Sequence, residues 1–217
     1  MATLFFPGCQ VKKDYPEASK KLAEYIQSKR AVETVGCCRV DHGKATQSDT
    51  ALVVCNNCAN IVSESGDPGE IEFVWEMIDN DPSFPFPDYH WEKMTLQDCW
   101  MAADRPNVHK AIRSLLGKMN IQVVELPENR EKTTFCGMNL TAPCNPSNAK
   151  LAPKRYVEEG GHMFHPMEPE ERQAYFNDYC RQFTTDKVVC YCKSCKGALV
   201  AGGVDAKHII QLLFPEG

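Results

Sequence analysis

The sequence predicts an α/β protein built from two pseudo-symmetric units. Each is a small, mostly parallel sheet with flanking helices, and the cysteines lie on loops at strand ends. Three observations lead there. Short, wholly apolar runs such as Ala51–Val54 alternate with amphipathic segments at helical spacing, and a strand without polar alternation suits a sheet covered on both faces. The pattern of strand, cysteine and helix occurs twice along the chain, which is the signature of an internal repeat. The cysteines follow the predicted strands instead of scattering.

Taken in order, Thr3–Phe6 reads as a strand that stops at Pro7-Gly8-Cys9. Tyr15–Lys29 reads as a helix, with Asp14 as its N-cap and Pro16 and Glu17 in its first turn. Ala18, Leu22, Tyr25 and Ile26 give it one apolar face. Val32–Val35 is a strand leading into Gly36-Cys37-Cys38, and Ala51–Val54 delivers Cys55-Asn56-Asn57-Cys58 to a short helix. The second copy repeats these parts. Thr95–Asp98 leads to Cys99, Thr134-Phe135 to Cys136-Gly137, and Val189-Cys190-Tyr191 to Cys192-Lys193-Ser194-Cys195. Cys9 and Cys99 are each followed seven residues later by a helix-opening proline, Pro16 and Pro106. The first unit is thus expected over residues 1–80 and the second over 94–217. A Pro-rich linker at 81–93 carries Pro82, Pro85 and Pro87. An insertion at about 138–186 holds a predicted helix, Glu168–Phe183.

Composition limits the function. The 217 residues carry 24 Lys and Arg against 29 Asp and Glu, a net charge of −5, which argues against nucleic acid as a partner. No apolar run approaches the roughly 20 residues of a membrane helix, so no direct membrane span is expected. Met1–Cys9 lacks the basic start of an export signal. A cytoplasmic, reducing and even anaerobic setting follows as the expectation. Twelve cysteines under such conditions point to metal or redox chemistry more than to disulfides.

Loops beyond the carboxyl ends of parallel strands converge on one edge of the sheet. Cys9, Cys37, Cys38, Cys55 and Cys58 are therefore expected to meet, with helix N-termini favouring thiolates there. Five thiols exceed the four of a tetrahedral zinc site or a cubane. The excess suggests a non-standard cluster, or structural zinc with a spare thiol. In the second unit Phe135 stands where a second cysteine of the pair would be, leaving Cys99, Cys136, Cys192 and Cys195. Four ligands suit a [4Fe-4S] cluster or a zinc ion. Of the remaining cysteines, Cys180 reads as helix core and Cys144 as a buried thiol. Cys190, two residues before Cys192, is the best candidate for a further ligand if the strand continues. His162 and His165 have metal-like spacing but lie between glycines and a proline. His42 is placed to hydrogen-bond a cluster sulfide. No phosphate-binding glycine loop, serine-nucleophile elbow or ferredoxin cysteine run is present.

Phe6-Pro7-Gly8-Cys9, the vicinal Cys37-Cys38 and the Cys55/Cys58 pair together resemble the cysteine-rich CCG domain, typified by the cysteine-rich subunit of heterodisulfide reductase. The resemblance spans nearly the whole chain as two CCG units. It departs from the family in the short 16-residue gap between Cys38 and Cys55 and in Phe135. It implies a non-cubane [4Fe-4S] cluster on Cys9, Cys37, Cys38, Cys55 and Cys58, which would be the catalytic set. It further implies a disulfide oxidoreductase acting on a thiol or disulfide small molecule, active only with an iron–sulfur or flavin electron-donor subunit. Two other readings stay open: a non-catalytic electron-transfer or assembly subunit, and a zinc-stabilised interaction module.

Overall fold

A computed structural model describes residues 2–215. Two four-stranded, all-parallel sheets form the protein. In the first, β1 (Thr3–Phe6), β2 (Glu33–Thr34), β3 (Thr50–Val53) and β4 (Glu70–Phe73) lie in the order β2-β1-β3-β4. In the second, β5 (Glu92–Gln97), β6 (Ile121–Glu125), β7 (Lys187–Cys190) and β8 (Asp205–His208) lie in the order β6-β5-β7-β8. The two orders are the same when read from the start of each unit. The central strands run in register, Phe6 opposite Val53 and Leu96 opposite Val189. Residues 80–91 join the sheets without a regular element.

Helices cover the sheets. The first unit carries α1 (Cys9–Asp14), α2 (Pro16–Lys29), α3 (Cys38–Asp41), α4 (Asn56–Ser65) and α5 (Val74–Asp79). The second carries α6 (Pro106–Lys118), α7 (Pro146–Leu151), α8 (Pro169–Cys180), α9 (Lys193–Ala201) and α10 (Ile209–Leu213). Ala18, Leu22 and Ile26 of α2 are buried, the apolar face expected of it. α5 packs on α6 and α2 on α10, so one continuous core runs through both units. Each Leu, Ile, Val or Phe fully buried there contributes about 1.5–3 kcal/mol.

Several boundaries differ from expectation. Asp14 does not cap α2. It ends α1, the N-cap is Tyr15, and the Asp14 carboxylate pairs with Lys193 at 3.3 Å across the unit boundary. The strand expected at Val32–Val35 shortens to Glu33–Thr34, although Val35 still donates its N–H to the Phe5 carbonyl. The helix expected at Glu168–Phe183 stops at Cys180. The chain must turn there to bring Thr185 beside Thr95 (Oγ1 to Oγ1, 2.7 Å) at the start of β7.

The insertion docks back on the first unit. Glu64 on α4 accepts the N–H groups of Lys154 and Arg155 at 2.7 and 3.0 Å, and Ser65 donates to the Leu151 carbonyl. Lys154–Glu158 forms a single π-helical turn, a local irregularity found most often near functional sites.

Candidate metal centres

The cysteines of the two candidate sets lie on segments that follow the carboxyl ends of strands in both units. After β1, Gly8 takes a left-handed φ of 71°, a conformation that favours glycine. That turn places Cys9 at the start of α1, exposed. Cys37 is the N-cap residue of α3 and Cys38 its first residue. Cys55 caps α4, its Sγ accepting the Cys58 N–H at 3.4 Å, and the two sulfurs are also 3.4 Å apart.

The five thiols form a chain of contacts. Cys9 meets Cys37, Cys37 meets Cys38, Cys38 meets Cys58, and Cys58 meets Cys55. Donation from Cys58 and then the nearby Arg39 charge draw the Cys38 thiol below its ordinary pKa, against the effect of burial. Hydrogen bonding to Cys38 and then to Cys55, together with burial, pushes Cys58 well up. Burial and then Cys37 raise Cys9.

The second set is tighter. Cys99, Cys136, Cys192 and Cys195 place their sulfurs all within 4.8 Å of one another. Among the described residues this is the one group of three or more potential ligands gathered so closely. A tetrahedral zinc ion with Zn–S bonds of about 2.3 Å sets its sulfurs about 3.8 Å apart, and Cys99 and Cys136 stand 3.5 Å apart. At Cys192, which caps α9, donation from Cys136, Cys195 and Cys99 draws the thiol well below its ordinary pKa. Gly137 makes the approach possible: its φ is 49°, and a side chain there would strike the Ser194 carbonyl.

A polar network stands behind Cys99. The buried Asp98 carboxylate accepts from Arg113 (2.6 and 3.2 Å), the Tyr191 hydroxyl (2.9 Å) and the Arg130 N–H (2.7 Å). Tyr191 in turn accepts the Cys99 N–H at 3.3 Å. Supporting bonds of this kind fix the orientation of ligating groups.

Cys190 is not a fifth member of the second set. β7 ends at Cys190, so the alternation of faces is lost before Cys192, and the Cys190 thiol turns to the carbonyls of Cys192 and Lys207. Cys180 is buried against Gly202, and Cys144 contacts the Asn145 carbonyl. His162 and His165 join no ligand group. His42 bonds the Cys38 carbonyl through Nδ1 at 3.2 Å. Phe135 does not take the place of a second cysteine: Cys136 caps a short 3-10 turn as Cys37 caps α3, so Gly137 stands opposite Cys38, and Phe135 stacks on Tyr179 of the insertion, with centroids 3.9 Å apart and planes at 8°.

One cavity of about 360 Å³ joins the two sets. All five thiols of the first unit line it, together with Cys136 and Cys192 of the second. Sequence reasoning did not find two of its wall residues. Tyr156, on the π-helical turn, is buried and donates its hydroxyl to Asn57. Asn56 is 4% exposed, and neither its amide nitrogen nor its amide oxygen has a partner among the described residues. A buried, orphaned carboxamide beside five thiols fits a site completed by a further group. Asn56 was visible inside Cys55-x-x-Cys58; Tyr156 carries no local motif and reaches the cavity only through the docking of the insertion.

No helix among the described residues is long and apolar enough to cross a membrane. Compared with known proteins, the chain matches no family model, no curated protein and no solved structure at a significant level.

Proposed function

We propose that this chain is an iron–sulfur redox protein of the heterodisulfide reductase type, equivalent to that enzyme's cysteine-rich subunit. Cys9, Cys37, Cys38, Cys55 and Cys58 hold a non-cubane [4Fe-4S] cluster, and Cys99, Cys136, Cys192 and Cys195 hold zinc. The observation that carries the reading is the contrast between the two thiol sets on one cavity. Four sulfurs gather to the spacing of a single tetrahedral ion. The other five extend as a chain along the cavity wall, wider than one ion spans and in a number that one ion does not use.

A bound cluster would supply one-electron chemistry at an iron, which a dithiol alone lacks. The chain's own residues do the rest. The cavity admits a small thiol or disulfide to the five-cysteine wall, with exposed Cys9 at its mouth. Asn56 offers a donor and an acceptor beside Cys55 and Cys58. The insertion, tied down through Glu64 and Tyr156, contributes Asn148 and Tyr156 to the cavity wall. The net reaction takes up two electrons and two protons per disulfide and yields two thiols. The sequence carries no nucleotide-binding motif, so the electrons come from an iron–sulfur or flavin partner.

Metal and acid-labile sulfide on anaerobically purified protein test this. The expected content per chain is about four iron, four sulfide and one zinc, with an EPR signal that changes on adding a thiol. About eight iron and eight sulfide would put a cluster in the second set as well. Two zinc with no sulfide would overturn the redox reading in favour of a zinc-stabilised module.

A further inference from the structure

We propose that the substrate of this cavity is a small thiol or disulfide bearing a carboxylate, and that Arg39 is the residue that selects it. This rests on the reading that thiols meet the Cys9/37/38/55/58 wall.

The first observation is the charge of the lining. The chain as a whole is acidic, with 29 Asp and Glu against 24 Lys and Arg. Yet among the described residues no carboxylate lines the cavity, and its charged side chains are Arg39 and Lys193. The second is their availability. Lys193 is paired with Asp14 at 3.3 Å. The nearest acid in sequence to Arg39 is Asp41, which is committed to the Gly36 N–H and Lys44. Arg39 donates through Nε to the Oδ1 of Asn148 at 3.0 Å, and no ion pair of Arg39 occurs among the described residues. Asn148 is 5% exposed and sits on α7 in the insertion, so it is a fixed strut. Held by Nε alone, the guanidinium keeps its two terminal nitrogens free as a planar fork, the geometry that matches a carboxylate.

The third observation is position and size. Arg39 directly follows Cys38, and its charge is felt by that thiol. A molecule with sulfur on the cysteine wall and a carboxylate two or three bonds away spans both. A volume of about 360 Å³ lies at the small end for ligand cavities, which favours a compact molecule. The N-termini of α4 and α9 both open toward the cavity, through Cys55 and Cys192, and add to the attraction for an anion.

The test uses three thiols of similar length and different charge: 3-mercaptopropionate, 3-mercaptopropionamide and cysteamine. Their binding to the metal-loaded, anaerobic full chain is measured by calorimetry, and the absorption spectrum is followed in parallel. The carboxylate should bind about tenfold or more tightly than the amide, as a charged hydrogen bond gives, and the preference should shrink with salt. Arg39→Met should remove the preference. Arg39→Lys should remove most of it, because lysine has neither the fork nor the Nε bond to Asn148. Equal binding of carboxylate and amide, an undiminished preference in Arg39→Met, or binding of none of the three would overturn the proposal. A clear carboxylate preference with no change in absorption would leave Arg39 as the selector and overturn the redox reading instead. Equal binding of all three together with a change in absorption would do the reverse.

Discussion

Acid should weaken the junction between the two units through one histidine. His208 ends β8 and is fully enclosed. Its ring lies 5.4 Å from that of Tyr15 and 6.1 Å from that of Trp75, both from the first unit, and Nδ1 accepts the Ile210 N–H at 3.3 Å. Burial holds its pKa down at about 4, from an ordinary value near 6.5. Between those values the unfolded chain binds a proton that the folded chain refuses. Stability is therefore complete above about pH 6.5 and falls as pH drops toward 4. A gap of about 2.5 pH units corresponds to about 3 kcal/mol in all, of which about 2 is lost by pH 5. For a chain of this length that is a fall in Tm of about 4–8 °C. The assay is thermal unfolding at pH 7.5, 6 and 5 of the metal-loaded wild type and of His208→Asn, which keeps a hydrogen-bond acceptor but does not titrate. Protonation of the metal-binding thiols affects both proteins and cancels in the difference. If the variant loses as much Tm as the wild type between pH 7.5 and 5, the reasoning is wrong.

Three further outcomes follow from the sites. Cys99→Ser should lower zinc to well under one per chain while iron stays unchanged, and Cys190→Ala should leave both metals in place; metal analysis of the two variants reads this directly. Arg113→Met strands the buried Asp98 carboxylate and should cost about 3–5 kcal/mol, seen as a lower denaturant midpoint. Tyr156→Phe deletes the bond to Asn57 and should cost about 1 kcal/mol, visible as a small drop in Tm with metal content unchanged.

The architecture was legible where local pattern and topology agree. The wholly apolar run at Ala51–Val54 pointed to a covered parallel strand, and β3 is central in its sheet. Cysteines after strands pointed to one sheet edge, and the Cys99/136/192/195 set gathers there. The repeat anticipated two units, and the strand order is shared. What escaped depends on contacts between distant segments. Cys190 was expected to follow the alternation of a continuing strand, but strand length is set by pairing with β8, which ends opposite it at His208. Asp14 looked like a cap because only the fold brings Lys193 to it. Tyr156 and the Asn148 strut both depend on the insertion folding back over α3 and α4, which periodicity within that segment does not reveal.

The stacked pair of Phe135 and Tyr179 bears on how the halves diverged. Phe135 lies directly before Cys136, and Tyr179 of the insertion is closed on its ring. Phe135 is 3% exposed, and replacing a phenyl ring so enclosed by a small side chain costs about 3 kcal/mol or more. A cysteine placed at 135 to give this unit a fifth thiol would therefore weaken the protein before any cluster could reward it. Packing alone then acts as a ratchet, keeping the two halves specialised whatever selection asks of their chemistry.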